Sequence, residues 1–121
     1  MPIPVLYGKA LGMVVSFQFE VSGICPLESG MGGTYYGICT ASYLPESYYV
    51  DVARLQSKYK EGNRLVAENL AVAIYLDIES AVGNEIPIMV DLIIEPTKDH
   101  GRIRTLINPT CLDWRELRDV V

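Results

Sequence analysis

Two stretches in the second half of the chain alternate strictly between apolar and mixed positions. In the first, Leu70, Val72, Ile74, Leu76 and Ile78 hold the even positions, with Ala71, Ala73, Tyr75 and Asp77 between them. In the second, Ile86, Ile88, Val90, Leu92 and Ile94 form the even row. A period of two is what a half-buried β-strand requires, and the intervening Ser80-Ala81-Val82-Gly83-Asn84 is turn-rich. The pattern predicts a hairpin over 70–94 with Ile78 opposite Ile86 and Leu70 opposite Ile94, because only a register of equal parity puts both even rows on one face. Its odd face carries Ala71, Ala73, Tyr75, Met89 and Ile93 beside Asp77, Asp91 and Glu95. That is too apolar for a fully wetted surface and predicts a covering helix or a second subunit. Pro87 has no amide to donate, which suits either an edge or the start of a strand and predicts an exposed sheet edge in its neighbourhood.

A third alternating run, Met13, Val15, Phe17, Phe19 and Val21, predicts another strand. The glycine-rich segment 22–33 breaks it, and Thr34 to Tyr43 reads as a strand that pairs back on the first. Val52, Leu55 and Tyr59 lie at helical spacing while Tyr48, Val50 and Val52 also alternate, so a short strand running into a helix over 52–61 satisfies both patterns. Gly101 to Ile107 predicts a further strand, and Thr110 caps a last helix that brings Trp114, Leu117 and Val121 to one side. The order predicts an α+β fold, mostly antiparallel β hairpins with one central and one C-terminal helix. A five-stranded OB-like barrel, with its helix after the third strand, is the alternative.

Composition narrows the role. A chain of 121 residues, half of them hydrophobic, suits a single domain spanning 1–121 with a real core. A net charge of -5 and a pI near 4.8 make nucleic acid an unfavoured partner. There is no uninterrupted apolar run of membrane-spanning length and no signal-like N-terminus, so a membrane is not expected as a partner. Cys25, Cys39 and Cys111 cannot all pair with one another and form no C-x-x-C motif, which predicts reduced thiols in the cytoplasm and neither metal nor cofactor.

The candidate chemistry is sparse. Eight tyrosines are the most unusual feature, and Tyr35, Tyr36, Tyr48 and Tyr49 are candidates for an interface or a stacking platform. Cross-strand aromatic pairing explains them equally well. Arg102 and Arg104 are candidates for binding an anion, against the plainer reading that the C-terminal arginines pair with nearby acids. The glycines of Ser29 to Thr34 could cradle an anion, but no lysine and helix start follow them, so a hairpin tip is the simpler reading. His100 is the single histidine and sits in a turn-like Lys-Asp-His-Gly sequence, with nothing to bring it to a nucleophile. Asp77, Glu79, Asp91 and Glu95 share one face of the expected hairpin and read as solvated carboxylates. The expected role is a non-enzymatic small binding or assembly protein acting as a homo-oligomer. The rival is an OB-like single-stranded nucleic-acid-binding protein that stacks bases on the four tyrosines beside Arg102 and Arg104.

Overall fold

In the computed structural model, which describes residues 3–4, 12–24, 34–60, 64–97 and 101–108, the strands are β1 (Ile3–Pro4), β2 (Val15–Ile24), β3 (Thr34–Tyr43), β4 (Tyr48–Tyr49), β5 (Ile88–Ile94) and β6 (Ile103–Ile107). Helix α1 (Val52–Tyr59) and helix α2 (Ala67–Val82) lie between β4 and β5. Four strands form one antiparallel sheet in the order β2-β3-β5-β6, and β1 pairs with β4 in a two-residue ladder of its own. The α+β class with antiparallel hairpins and a central helix therefore stands. The sheet does not close on itself, which removes the OB-like barrel. The helix expected after Thr110 lies outside the described residues.

Alternation in the first half of the chain builds the expected hairpin. Val15 pairs with Tyr43 and Ile24 with Thr34, so the odd residues of both strands share one face. That face buries Phe19, Val21, Tyr35, Cys39, Ala41 and Tyr43. β5 adds Ile88, Val90, Leu92 and Ile94 to it, pairing with β3 from Tyr43↔Ile88 to Gly37↔Ile94. Gly37 is needed at this last position, because a Cβ there would meet the Ile93 carbonyl oxygen at 2.5 Å and the Ile94 Cδ1 at 2.7 Å.

The hairpin expected over 70–94 does not form, since its first half is helical. Leu70, Ala71, Ile74, Ile78 and Val82 are the residues that α2 buries, a single stripe at helical spacing. Val72 and Leu76, assigned to the buried row by the period of two, are 47% and 51% exposed. The run holds enough apolar residues to satisfy both periods. Its alanines, leucines and glutamates favour a helix, its sixteen residues exceed the usual strand, and burial on the sheet decides the outcome. The helix ends at Gly83, whose φ of 111° few side chains tolerate and whose amide donates to the Glu79 carbonyl at 2.8 Å. β5 is consequently an inner strand. Pro87 stands just before it and accepts at its carbonyl from the Leu44 amide, so it marks a strand start and no sheet edge.

Two core tyrosines tie the ends of β3 to the helices. The Tyr43 hydroxyl accepts from the Val50 amide at 2.9 Å, just ahead of α1, and the Tyr35 hydroxyl donates to the Leu65 carbonyl at 2.9 Å, just ahead of α2. Asp51 caps α1 by accepting from the Arg54 amide at 3.2 Å. No described helix is long and apolar enough to cross a membrane.

Helical packing of α2 separates two substitutions that a strand would make alike. Ile74→Ala should cost about 2–5 kcal/mol of unfolding free energy, whereas Leu76→Ala should change it by no more than about 0.5 kcal/mol. Urea titrations of both variants check this. By the same measurement Gly37→Ala should destabilise by about 1–3 kcal/mol, because the obstacle to its methyl group includes backbone.

Candidate functional site

Both helices contribute to the core beneath one face of the sheet, and the even residues of β2 and β3 point to the other. Register places these rows across that second face: Ser16, Ser42 and Met89; Gln18, Thr40, Asp91 and Leu106; Glu20, Ile38, Ile93 and Arg104; and Ser22 beside Tyr36. Glu95 joins the last row through its amide, which donates to the Tyr36 carbonyl at 2.8 Å.

The centre of this face is held by charge. Arg104 grips Asp91 with two bonds, Nε to Oδ1 at 3.0 Å and Nη2 to Oδ2 at 2.8 Å. The Asp91 side chain is 3% exposed and that of Arg104 22%. A carboxylate so buried needs both bonds. The hydrogen bond to Asp91 pushes the guanidinium above its ordinary range, with partial burial opposing. Beside the pair, Ser16 and Ser42 share a 2.8 Å hydroxyl bond and Gln18 donates to Thr40 at 3.2 Å.

At the end of the face near Tyr36 the surface is open. A pocket of about 470 Å³ is bounded there by Glu20, Ser22, Tyr36, Ile38, Lys60 and Glu95. Strand pairing brings the first four together, and the end of α1 brings Lys60, whose carbonyl accepts from the Ser22 hydroxyl. Tyr36 is 64% exposed, and Ile38 beside it is also exposed. Glu95 meets Arg102 only at 3.5 Å, with both side chains about half in water or more. The volume lies within the range of small-molecule sites, and one aromatic ring with a few convergent polar groups is their usual lining.

A second groove, of about 790 Å³, runs between α1 and α2. Its polar feature is a clasp in which Asp77 Oδ2 accepts from Lys58 Nζ at 2.8 Å and from the Tyr59 hydroxyl at 2.5 Å. Burial raises the Tyr59 hydroxyl above its ordinary value, and Asp77 raises it further through hydrogen bond and charge. This groove lies where the two helices meet.

The sequence candidates separate. Tyr35 and Tyr36 are consecutive on a strand and so face opposite sides: Tyr35 is in the core and Tyr36 is on the open face. Tyr48 is exposed on β4, and Tyr49 is half-buried with its hydroxyl 3.9 Å from Met13 Sδ. The four do not form one platform. Arg104 is occupied by Asp91, and Arg102 lies at the rim against Glu95. The four carboxylates expected on one face are divided, with Asp77 and Glu79 on α2 and Asp91 and Glu95 on the sheet. Cys39 is buried on the helix-covered face, and burial, helped by the charge of Asp91, pushes its thiol up to about 12. It is no nucleophile. His100, Cys25, Cys111 and residues 29–33 lie outside the described residues. The roles of Glu20, Ile38 and Lys60 had no signal in the sequence, because they depend on strand register and on where α1 ends.

Two measurements follow from these contacts. Asp91→Ala strands the Arg104 charge and should cost about 3–5 kcal/mol, while the double variant Asp91→Leu with Arg104→Met should recover most of it in chemical denaturation. Tyr59 favours its protonated form in the folded state, so its contribution is present below the unfolded value of 10.0 and is lost as pH rises beyond it. Tyr43 shifts the same way. Stability should fall above pH 10, and Tyr59→Phe should make that fall shallower.

The sequence matches no protein-family model, and no curated protein matches it. A solved structure does resemble it: the crystal structure of the archaeosine synthase QueF-Like in the apo form superposes with a TM-score of 0.62. The likeness covers 78% of this chain and 93% of that one at 15% identity, and it shows that the two share a fold.

Proposed function

We propose that the chain is a small binding module that works as a homo-oligomer, joined through the edges of its sheet and receiving its ligand on the face away from the helices. The observation that carries this reading is the open sheet. β2 is ten residues long and has no strand on its outer side among the described residues, and neither has β6. An unpaired edge of that length is a template for another strand. Pairing β2 of one copy with β6 of the next repeats a head-to-tail contact that can close into a ring.

The second face agrees with this. Tyr36, Ile38, Ile93 and Leu106 give it an apolar share, and such a surface is more readily kept inside an assembly than left in water. The structural neighbour is a synthase. The single-stranded nucleic-acid reading loses ground because Tyr35 is in the core and Arg104 is committed to Asp91.

Size-exclusion chromatography with light scattering tests the assembly. At tens of micromolar the mass should be a multiple of 13.4 kDa, and a strict monomer overturns the proposal. Fluorescence anisotropy with labelled single-stranded DNA should show no salt-sensitive association; tight, salt-sensitive binding restores the rival.

A further inference from the structure

We infer that the pocket at Tyr36 takes a small, flat organic cation, a guanidinium-type head carried on an apolar or aromatic body. The inference rests on the reading that the helix-free face is the ligand side, and it names the class of ligand.

The pocket has an apolar floor and an acidic frame. Tyr36 offers an open ring face and Ile38 continues it, so a flat body can lie on both. Glu20 on β2 and Glu95 at the end of β5 stand on opposite sides of β3. With strands about 4.8 Å apart and the two residues one row apart along the sheet, their backbones are separated by roughly 12 Å, enough for one planar group between them. Carboxylates only accept hydrogen bonds, so the ligand must bring N–H donors. The face of a tyrosine ring attracts cations, which selects a positive head over a neutral amide.

The two carboxylates are available. Glu20 is exposed and has no ion-pair partner among the described residues. Glu95 has Arg102 at 3.5 Å, and an exposed pair of that length contributes little. Lys60 and Arg102 on the rim balance the two acids, so the attraction for a cation comes from Glu20, which has no ion pair among the described residues, from the Tyr36 ring and from the net charge of -5 that steers cations toward the protein. Lys60 also limits the ligand to a single positive charge.

Phenylguanidinium is the probe and phenylurea its neutral isostere, each titrated into the full chain by NMR with amide shifts as readout. Phenylguanidinium should shift the amides of Glu20, Tyr36, Ile38 and Glu95 and bind at least tenfold tighter than phenylurea. Raising salt should weaken it. The Glu20→Gln/Glu95→Gln double variant, whose exposed positions should leave folding intact, should lose at least tenfold, and Tyr36→Ala should weaken both probes. Equal binding of the two probes, an unaffected double variant, or no shifts with phenylguanidinium at millimolar concentration each overturn the ligand class. Light scattering on the same samples separates the failures: an oligomer that ignores phenylguanidinium leaves the assembly standing, whereas a monomer that binds it removes the assembly and keeps the ligand class.

Discussion

One packing contact organises this protein. The even residues of β5, Ile88, Val90, Leu92 and Ile94, lie in the core with the stripe of α2 formed by Leu70, Ala71, Ile74, Ile78 and Val82. Nearly all of these side chains are completely removed from water. Each contributes about 1.5–3 kcal/mol when fully buried, against a net stability of about 5–15 kcal/mol for a domain. This packing makes β5 an inner strand, with β3 and β6 on its two sides, and it commits both helices to one face.

The second face inherits its character from that commitment. With the helices on the other side, the rows through Glu20, Ile38, Ile93 and Arg104 are left to satisfy themselves. The pair of hydrogen bonds that Arg104 donates to Asp91 does so at the centre, where an unpaired carboxylate would be costly. At the Tyr36 end the described residues make no comparable pair, and the pocket is what remains. Ligand recognition and assembly, as proposed, both draw on the part of the sheet that the core does not use.

Much of the fold was legible in the sequence. The alternation from Met13 to Val21 and from Thr34 to Tyr43 reads directly as β2 and β3, because each strand has one buried face and one wet one. The segment at α1 was legible from Val52, Leu55 and Tyr59. Residues 70–78 were misleading for a physical reason: Val72 and Leu76 are apolar yet face outward, so counting apolar residues returned a period of two where burial follows a helix. The four alanines, Ala67, Ala71, Ala73 and Ala81, together with Glu68 and Glu79, were the signals that favoured the helix. The site was far less legible. Tyr36 was named, but only as one of four tyrosines whose sides could not be sorted before the strand was known. Arg104 was named as an anion site, while its partner Asp91 was assigned to a solvated face, because a cross-strand diagonal is invisible without register.

The open sheet and its proposed edge pairing are tested most directly by residue-resolved amide hydrogen exchange along β2 at tens of micromolar protein and again at high dilution. If copies join through this strand, the alternate amides of Val15–Ile24 that point away from β3 should exchange as slowly as those of β3 in the concentrated sample and become fast on dilution. Fast exchange of those amides at both concentrations, with β3 and β5 protected throughout, would contradict the account and leave the sheet as a free-edged monomer.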